Sequence, residues 1–166
     1  MKIHAVYDLG EVRRLAKRYP GAASEETERV LDLIVTRMES ETVELTPAGV
    51  GGAAGLRGSI HGEVVEMGGR LTGVWGTPLE YGEVVEMGRR PGKAMPPVDP
   101  IELWVKRILG ISEDRSRSVA FAVAMKIARK GFKGKKMFER AWKANERWAG
   151  NMLQSIGARV ARRLNR

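Results

Sequence analysis

Four carboxylates in two short stretches are the first residues whose spacing could support chemistry. They are Glu63 and Glu66 in "HGEVVEMGG", and Glu83 and Glu86 in "YGEVVEMGR". Two carboxylates three residues apart can share acid–base work or hold a divalent cation. The same residues are also routine on an exposed strand edge or helix face, and neither pair sits in a cluster of ligands. The two histidines, His4 and His61, lie far apart and have no His, Asp or Glu at ligand spacing. Cysteine is absent, which excludes disulfides, thiolate metal sites and cysteine nucleophiles. No strained nucleophile turn or Ser/His/Asp order is present. A metal-dependent hydrolase built on the glutamates therefore ranks last, and the expectation is a non-enzyme with no metal and no cofactor.

The second candidate chemistry is phosphate contact. Lys136, Arg140, Lys143 and Arg147 recur at steps of 4 and 3 residues, which places them on one ridge of a helix. Arg159, Arg162, Arg163 and Arg166 extend the basic end. Such a ridge could meet nucleic-acid phosphates or an acidic partner. Trp142 and Trp148 fall on the apolar stripe of the same helix, so they read as core residues rather than base-stacking ones. The charge asymmetry is strong: residues 1–100 hold 12 Lys/Arg against 15 Asp/Glu, and residues 101–166 hold 17 against 5. Either the basic end meets a polyanion, or it is a set of solvated helix faces.

The elements that must position these groups follow from periodicity and punctuation. A helix is expected over 8–19, closed by Pro20-Gly21, and a second from Ser24 to about residue 44 on the stripe Val30, Leu31, Ile34 and Met38. "TPAGVGGAAGLRGSI" follows. Its glycines make ordering costly in backbone entropy, and it reads as a flexible loop over 47–58. No strand precedes it and no Lys-Ser/Thr follows it, so a phosphate loop is not expected. Residues 59–67 and 70–75 flank Gly68-Gly69, the pattern of a two-residue hairpin.

The seven letters GEVVEMG, already used in that hairpin, recur from Gly82 to Gly88. Here Pro78 precedes them, and Tyr81, Val84, Val85 and Gly88 stand at helical spacing, so residues 78–87 are expected to be helical. The alternative is that both copies are equivalent strands of one sheet. A Pro-rich connector leads to a helix capped by Asp99 and running through Leu109. Another helix is capped by Ser112, closed by Gly131, and apolar nearly all round in "VAFAVAM", so burial on more than one side is expected. A last helix spans about 135–164 on Phe138, Ala141, Trp142, Trp148, Met152, Ile156 and Val160. The expected fold is α+β in one domain: a small antiparallel sheet built on the 59–75 hairpin, packed against long helices, with a helical C-terminal half. No stretch is long and apolar enough to span a bilayer, the N-terminus lacks a signal-peptide pattern, and no membrane partner is expected.

The order of segments "TPAGVGGAAGLRGSI", "GTPLEYGEVVEMGRRPGKAMPPVDPIELWVKRILG" and "SVAFAVAMKIARKGFKGKKMFERAW" resembles the tail-completion, or head–tail joining, neck proteins of long-tailed bacteriophages. Leu56, Arg57 and Ser59 match the end of that family's Gly-rich loop. Tyr81, Glu86 and Gly88 match its Tyr–x₄–Glu–x–Gly element. Pro96-Pro97, Trp104 and Ile127–Gly131 match the branch with a helical C-terminal half. The resemblance covers about residues 44–142 and does not extend to the first GEVVEMG or to the helix beyond Trp142. It implies a structural virion protein, assembled in the host cytoplasm, that forms a ring of six copies around the DNA channel. Its partners would be further copies of itself, the head–tail connector and the tail terminator or tube. The interface would include Gly51, Gly52, Gly55, Leu56, Arg57, Ser59, Tyr81, Glu86 and Gly88. The rival expectation is an accessory DNA-binding protein acting through Lys136, Arg140, Lys143 and Arg147.

Overall fold

Local sequence rules account for most elements of the computed structural model, which describes residues 14, 16–49 and 55–165. The fold is α+β, with a small antiparallel hairpin and a helical C-terminal half. The first long helix, α1, runs Pro20–Leu45. Pro20 therefore lies inside a helix instead of closing one: its fixed φ and missing amide suit a first turn. Most of the helix expected over 8–19 lies outside the described residues; Arg14 and residues 16–18 are helical. A short turn of helix, α2 (Leu56–Ser59), precedes strands β1 (His61–Met67) and β2 (Arg70–Gly76). Then come α3 (Tyr81–Met87), β3 (Gly88–Arg89), α4 (Val98–Ile108), α5 (Glu113–Lys130), β4 (Phe132–Lys133), α6 (Met137–Gln154) and α7 (Ile156–Leu164).

These elements form two compact units that interleave along the chain. Among the described residues, one comprises 14, 16–44, 60–76 and 138–165; the other comprises 45–49, 55–59 and 77–137.

In the first unit the hairpin pairs His61 with Gly76 through Met67 with Arg70. Gly68 and Gly69 both have positive φ, 57° and 72°, as a two-residue turn matched to strand twist requires. The hairpin lies against α1 closely enough that a Cβ at Gly73 would stand 2.7 Å from Val35 Cγ1. The Gly62 amide donates to Glu39 Oε2 at 2.7 Å. Along α1, Val30, Ile34, Val35 and Met38 are buried, and from α6 and α7 so are Phe138, Ala141, Ala149, Ile156 and Val160. Polar groups inside this core are partnered, as burial demands. The Trp75 indole donates to Thr42 Oγ1 at 3.3 Å, and that hydroxyl donates to the Met38 carbonyl at 2.6 Å. Arg37 Nε donates to Asn145 Oδ1 at 2.6 Å, while its guanidinium lies 4.6 Å from the centre of the Trp148 ring. Trp142 packs on Trp75 with ring centres 6.0 Å apart. Both C-terminal tryptophans are thus engaged within the unit. The C-terminal helix is interrupted at Ser155, whose hydroxyl donates back to the Met152 carbonyl at 2.7 Å.

In the second unit α4 and α5 form an antiparallel pair. Arg117 reaches Asp99 at 3.0 Å and Glu102 at 2.9 Å, and Lys106 joins Glu102 at 3.2 Å to Glu113 at 3.0 Å. Asp99 lies in the first turn of α4 behind an N-cap at Pro97, so it favours the helix dipole but does not cap. Ser112 does occupy the N-cap of α5, but its hydroxyl makes no capping bond. Only the stripe Ser116, Ala120 and Ala124 of α5 is buried, and Phe121 is 46% exposed. The expectation of burial on several sides fails because small residues carry the packing and leave the bulky one outside.

Candidate functional site

The two GEVVEMG copies adopt different structures. The first is β1 running into the Gly68-Gly69 turn; the second is α3 ending at Gly88. The helix begins at Tyr81, three residues later than Pro78 suggested, and it is rotated from the expected face. Gly82 and Glu86 point inward, while Tyr81 and Val84 are exposed. A Cβ at Gly82 would stand 2.5 Å from Thr77 Cγ2 and 3.3 Å from Leu56 Cδ1, so α3 packs through its least bulky edge.

A backbone crossing follows immediately. Gly88 and Arg89 pair with Lys133 and Phe132 in a two-residue ladder. Gly88 has φ 81°, and a Cβ there would meet Phe132 O at 2.5 Å. Cβ atoms at Gly131 and Gly134 would collide with the backbone of Arg89 and of Glu86. Amides of Lys135 and Lys136 donate to the Val85 and Glu86 carbonyls at 2.9 and 3.1 Å, and the Gly92 amide donates to the Ala128 carbonyl at 2.8 Å. Two chain segments thus touch main chain to main chain, which is possible only where side chains are absent. Gly131 closes α5 as its sequence suggests, but helical periodicity assigns no pairing to Phe132 and Lys133. Glycines spaced three apart, at 131 and 134, were the available signal.

The crossing shapes an open pocket of about 530 Å³ lined by Met87 to Pro91, Lys130, Phe132 and Lys133. Arg89, Arg90, Lys130 and Lys133 contribute four cations, and no carboxylate lines it. The Arg89 guanidinium donates through Nη2 to the Ala94 carbonyl, whereas its buried Nε has no hydrogen-bond partner. The other unit carries an open groove of about 610 Å³ with the opposite character, lined by Glu25, Glu28, Asp32 and Glu63 beside Arg29.

The expected interface residues take mixed places. Gly51 and Gly52 lie outside the described residues. Gly55 and Leu56 are buried, and the Ser59 hydroxyl lies 2.7 Å from the Thr77 hydroxyl. Arg57 is exposed and donates from Nε to the Thr46 carbonyl at 2.7 Å. Tyr81 is exposed, Glu86 is only 1% exposed, and Gly88 serves the crossing. The structure brings Leu56 beside α3 within one unit, together with Trp104 and the 127–131 stretch.

Of the expected basic ridge, Arg140, Lys143 and Arg147 share an exposed face of α6, and Lys143 pairs with Glu139 at 2.5 Å. Lys136 is not on that helix; it precedes it with φ 55°. Its left-handed backbone turns the chain from β4 into α6, which a helix starting at 135 could not do.

Large apolar side chains are unevenly exposed. Of the twelve most exposed among the described residues, nine lie in 77–137, including Tyr81, Met87, Leu109, Phe121 and Phe132. Among the described residues no group of three or more His, Asp or Glu could hold a metal ion, and no helix is long and apolar enough to cross a membrane. Comparison with protein-family models, with curated proteins and with solved structures finds no match.

Proposed function

We propose that this chain is a structural protein of a phage neck, completing the tail and joining it to the head through contacts between copies and with neighbouring ring proteins. The observation that supports this most is the concentration of exposed bulk in one unit. Exposed apolar side chains serve association where they gather into a contiguous patch. Leu109 (48% exposed) and Phe121 (46%) belong to the α4–α5 pair, whose segments carry much of the resemblance. Tyr81, from the matched Tyr–x₄–Glu–x–Gly element, is exposed in the same unit. In this reading Glu86 and Gly88 act from inside, holding α3 and the crossing so that Tyr81 is presented.

The test is electron microscopy of particles carrying this protein with a C-terminal gold label. Label in a ring at the head–tail junction is the expected result, and its copy number follows from the image symmetry. Label absent from particles, or distributed along DNA, overturns the proposal.

A second reading, DNA contact through α6, draws on Arg140 and Arg147 on one exposed face, neither of which forms an ion pair among the described residues. It is a weaker reading, since Lys143 is neutralised by Glu139 and Lys136 lies off the helix.

A further inference from the structure

We infer that the basic pocket at the β3–β4 crossing is a phosphate-binding site, taking the phosphate of a nucleic-acid strand or of a free nucleotide. The inference does not depend on the neck reading, and it uses none of the residues of the α6 ridge.

Its first support is uncompensated charge. Arg89, Arg90, Lys130 and Lys133 line one concavity, and none forms an ion pair among the described residues. In the same unit Lys106 and Arg117 each reach two carboxylates. Cations held together without counter-ions repel one another, and an anion placed among them relieves that cost.

The second support is that the cations are held, not merely adjacent. They come from two segments separated by about forty residues, and backbone hydrogen bonds clamp those segments, with Gly88, Gly131 and Gly134 at the points where a Cβ would collide with the opposite backbone. A surface run of lysines would splay; here the β3–β4 ladder and the Gly92–Ala128 bond set the spacing of the segments.

The third is Arg89 itself. One nitrogen of its guanidinium is anchored on the Ala94 carbonyl, while Nε is buried and unsatisfied. A buried donor left unpaired costs about 1–3 kcal/mol, and a phosphate oxygen that reached it would satisfy it. Guanidinium groups match phosphate geometry better than a point-charge ammonium does.

The apolar rim narrows the ligand. Phe132 is 37% exposed and Met87 is 60% exposed beside the cations. An aromatic face next to phosphate-binding cations is the arrangement that holds a base while its phosphate is neutralised. An acidic protein segment would use the charges but not the ring, and is the competing ligand.

The experiment uses the full chain and a fluorescent twelve-residue oligothymidylate, read by anisotropy at a series of salt concentrations. Unlabelled ATP, inorganic phosphate and polyglutamate serve as competitors. R90E/K133E changes two exposed cations and leaves Arg89 in place, and thermal melting checks that it folds. The expected loss of affinity is at least about tenfold. The slope of log K against log salt should fall by about 1.4, or two single-strand phosphate contacts. F132A should weaken oligothymidylate several-fold and leave competition by inorganic phosphate unchanged. Binding of ATP without binding of oligothymidylate would assign the site to a free nucleotide. Oligothymidylate affinity unchanged in R90E/K133E, displacement by polyglutamate as readily as by ATP, or no binding of either probe would overturn the inference.

Discussion

At the scale of single residues, the duplicated heptapeptide isolates what context does. Each copy opens on a glycine that permits a close approach: a Cβ at Gly62 would be 3.0 Å from the Val35 carbonyl, and one at Gly82 would be 2.5 Å from Thr77. Each also closes on a glycine of positive φ, 57° at Gly68 and 81° at Gly88. The residues between them diverge. Glu66 is exposed on a strand, whereas the corresponding Glu86 is 1% exposed on the inner edge of α3. Identical substitutions should therefore behave differently. E66A is expected to change stability by no more than about 0.5 kcal/mol, as exposed sites do. E86A empties a buried position and should cost about 2–4 kcal/mol. Urea denaturation of the two variants measures both, and equal effects would contradict the different burial of the two side chains.

At the scale of elements, the α4–α5 pair is joined by charge at both ends. Lys106, then the buried Ser116 hydroxyl and Arg117, hold the Glu102 carboxyl below its ordinary value of 4.5. Glu113, followed by Glu102, raises the Lys106 ammonium above 10.5. A depressed carboxyl favours the folded state while it is ionised. Its contribution is complete above about pH 4.5 and is lost as pH falls through the lower folded value. The raised ammonium has the opposite sense: its contribution is present below 10.5 and disappears as pH rises through the higher folded value. Glu102→Gln should accordingly lower the melting temperature at pH 7 and flatten its fall as pH drops below about 4.5. Melting curves over that range, compared with the unaltered chain, decide it. An E102Q profile parallel to the parent would show that Glu102 has no share in the acid dependence.

At the scale of the whole chain, the sequence-order charge split is not the split of the folded units. Among the described residues, the unit built from α1, the hairpin, α6 and α7 holds 12 Lys/Arg against 11 Asp/Glu; the other holds 14 against 7. The basic C-terminal helices share a unit with acidic α1, where Arg163 reaches Glu25 and lies 3.6 Å from Glu26. Excess charge therefore concentrates in 45–59 and 77–137, not along α6. Reversing the α6 face with R140E/R147E is expected to leave head–tail joining intact and to leave oligothymidylate affinity within about twofold at 0.15 M salt, since neither residue lines the basic pocket. Normal joining with loss of DNA from particles would instead favour the ridge as the functional surface.

Short-range rules made much of this molecule legible. Gly68-Gly69 specified the hairpin because two successive positive φ values suit a two-residue turn, and the register from His61 with Gly76 follows from it. The α1 stripe and the core positions of α6 and α7 followed from a 3.6-residue period; the second heptapeptide is helical as expected, but Pro78 precedes α3 and the Tyr81–Val84 face that suggested the helix is its exposed one. Long-range geometry decided the rest. Gly131 and Gly134 mark "GFKG" as a place of close approach but not which segment approaches, since the contact with Gly88 joins backbones some forty-five residues apart in sequence. The burial of Glu86, the exposure of Phe121, the departure of Lys136 from the basic ridge and the gathering of four cations all depend on which segments meet. Periodicity determines which faces a helix offers; only the packing of distant segments determines which face is used.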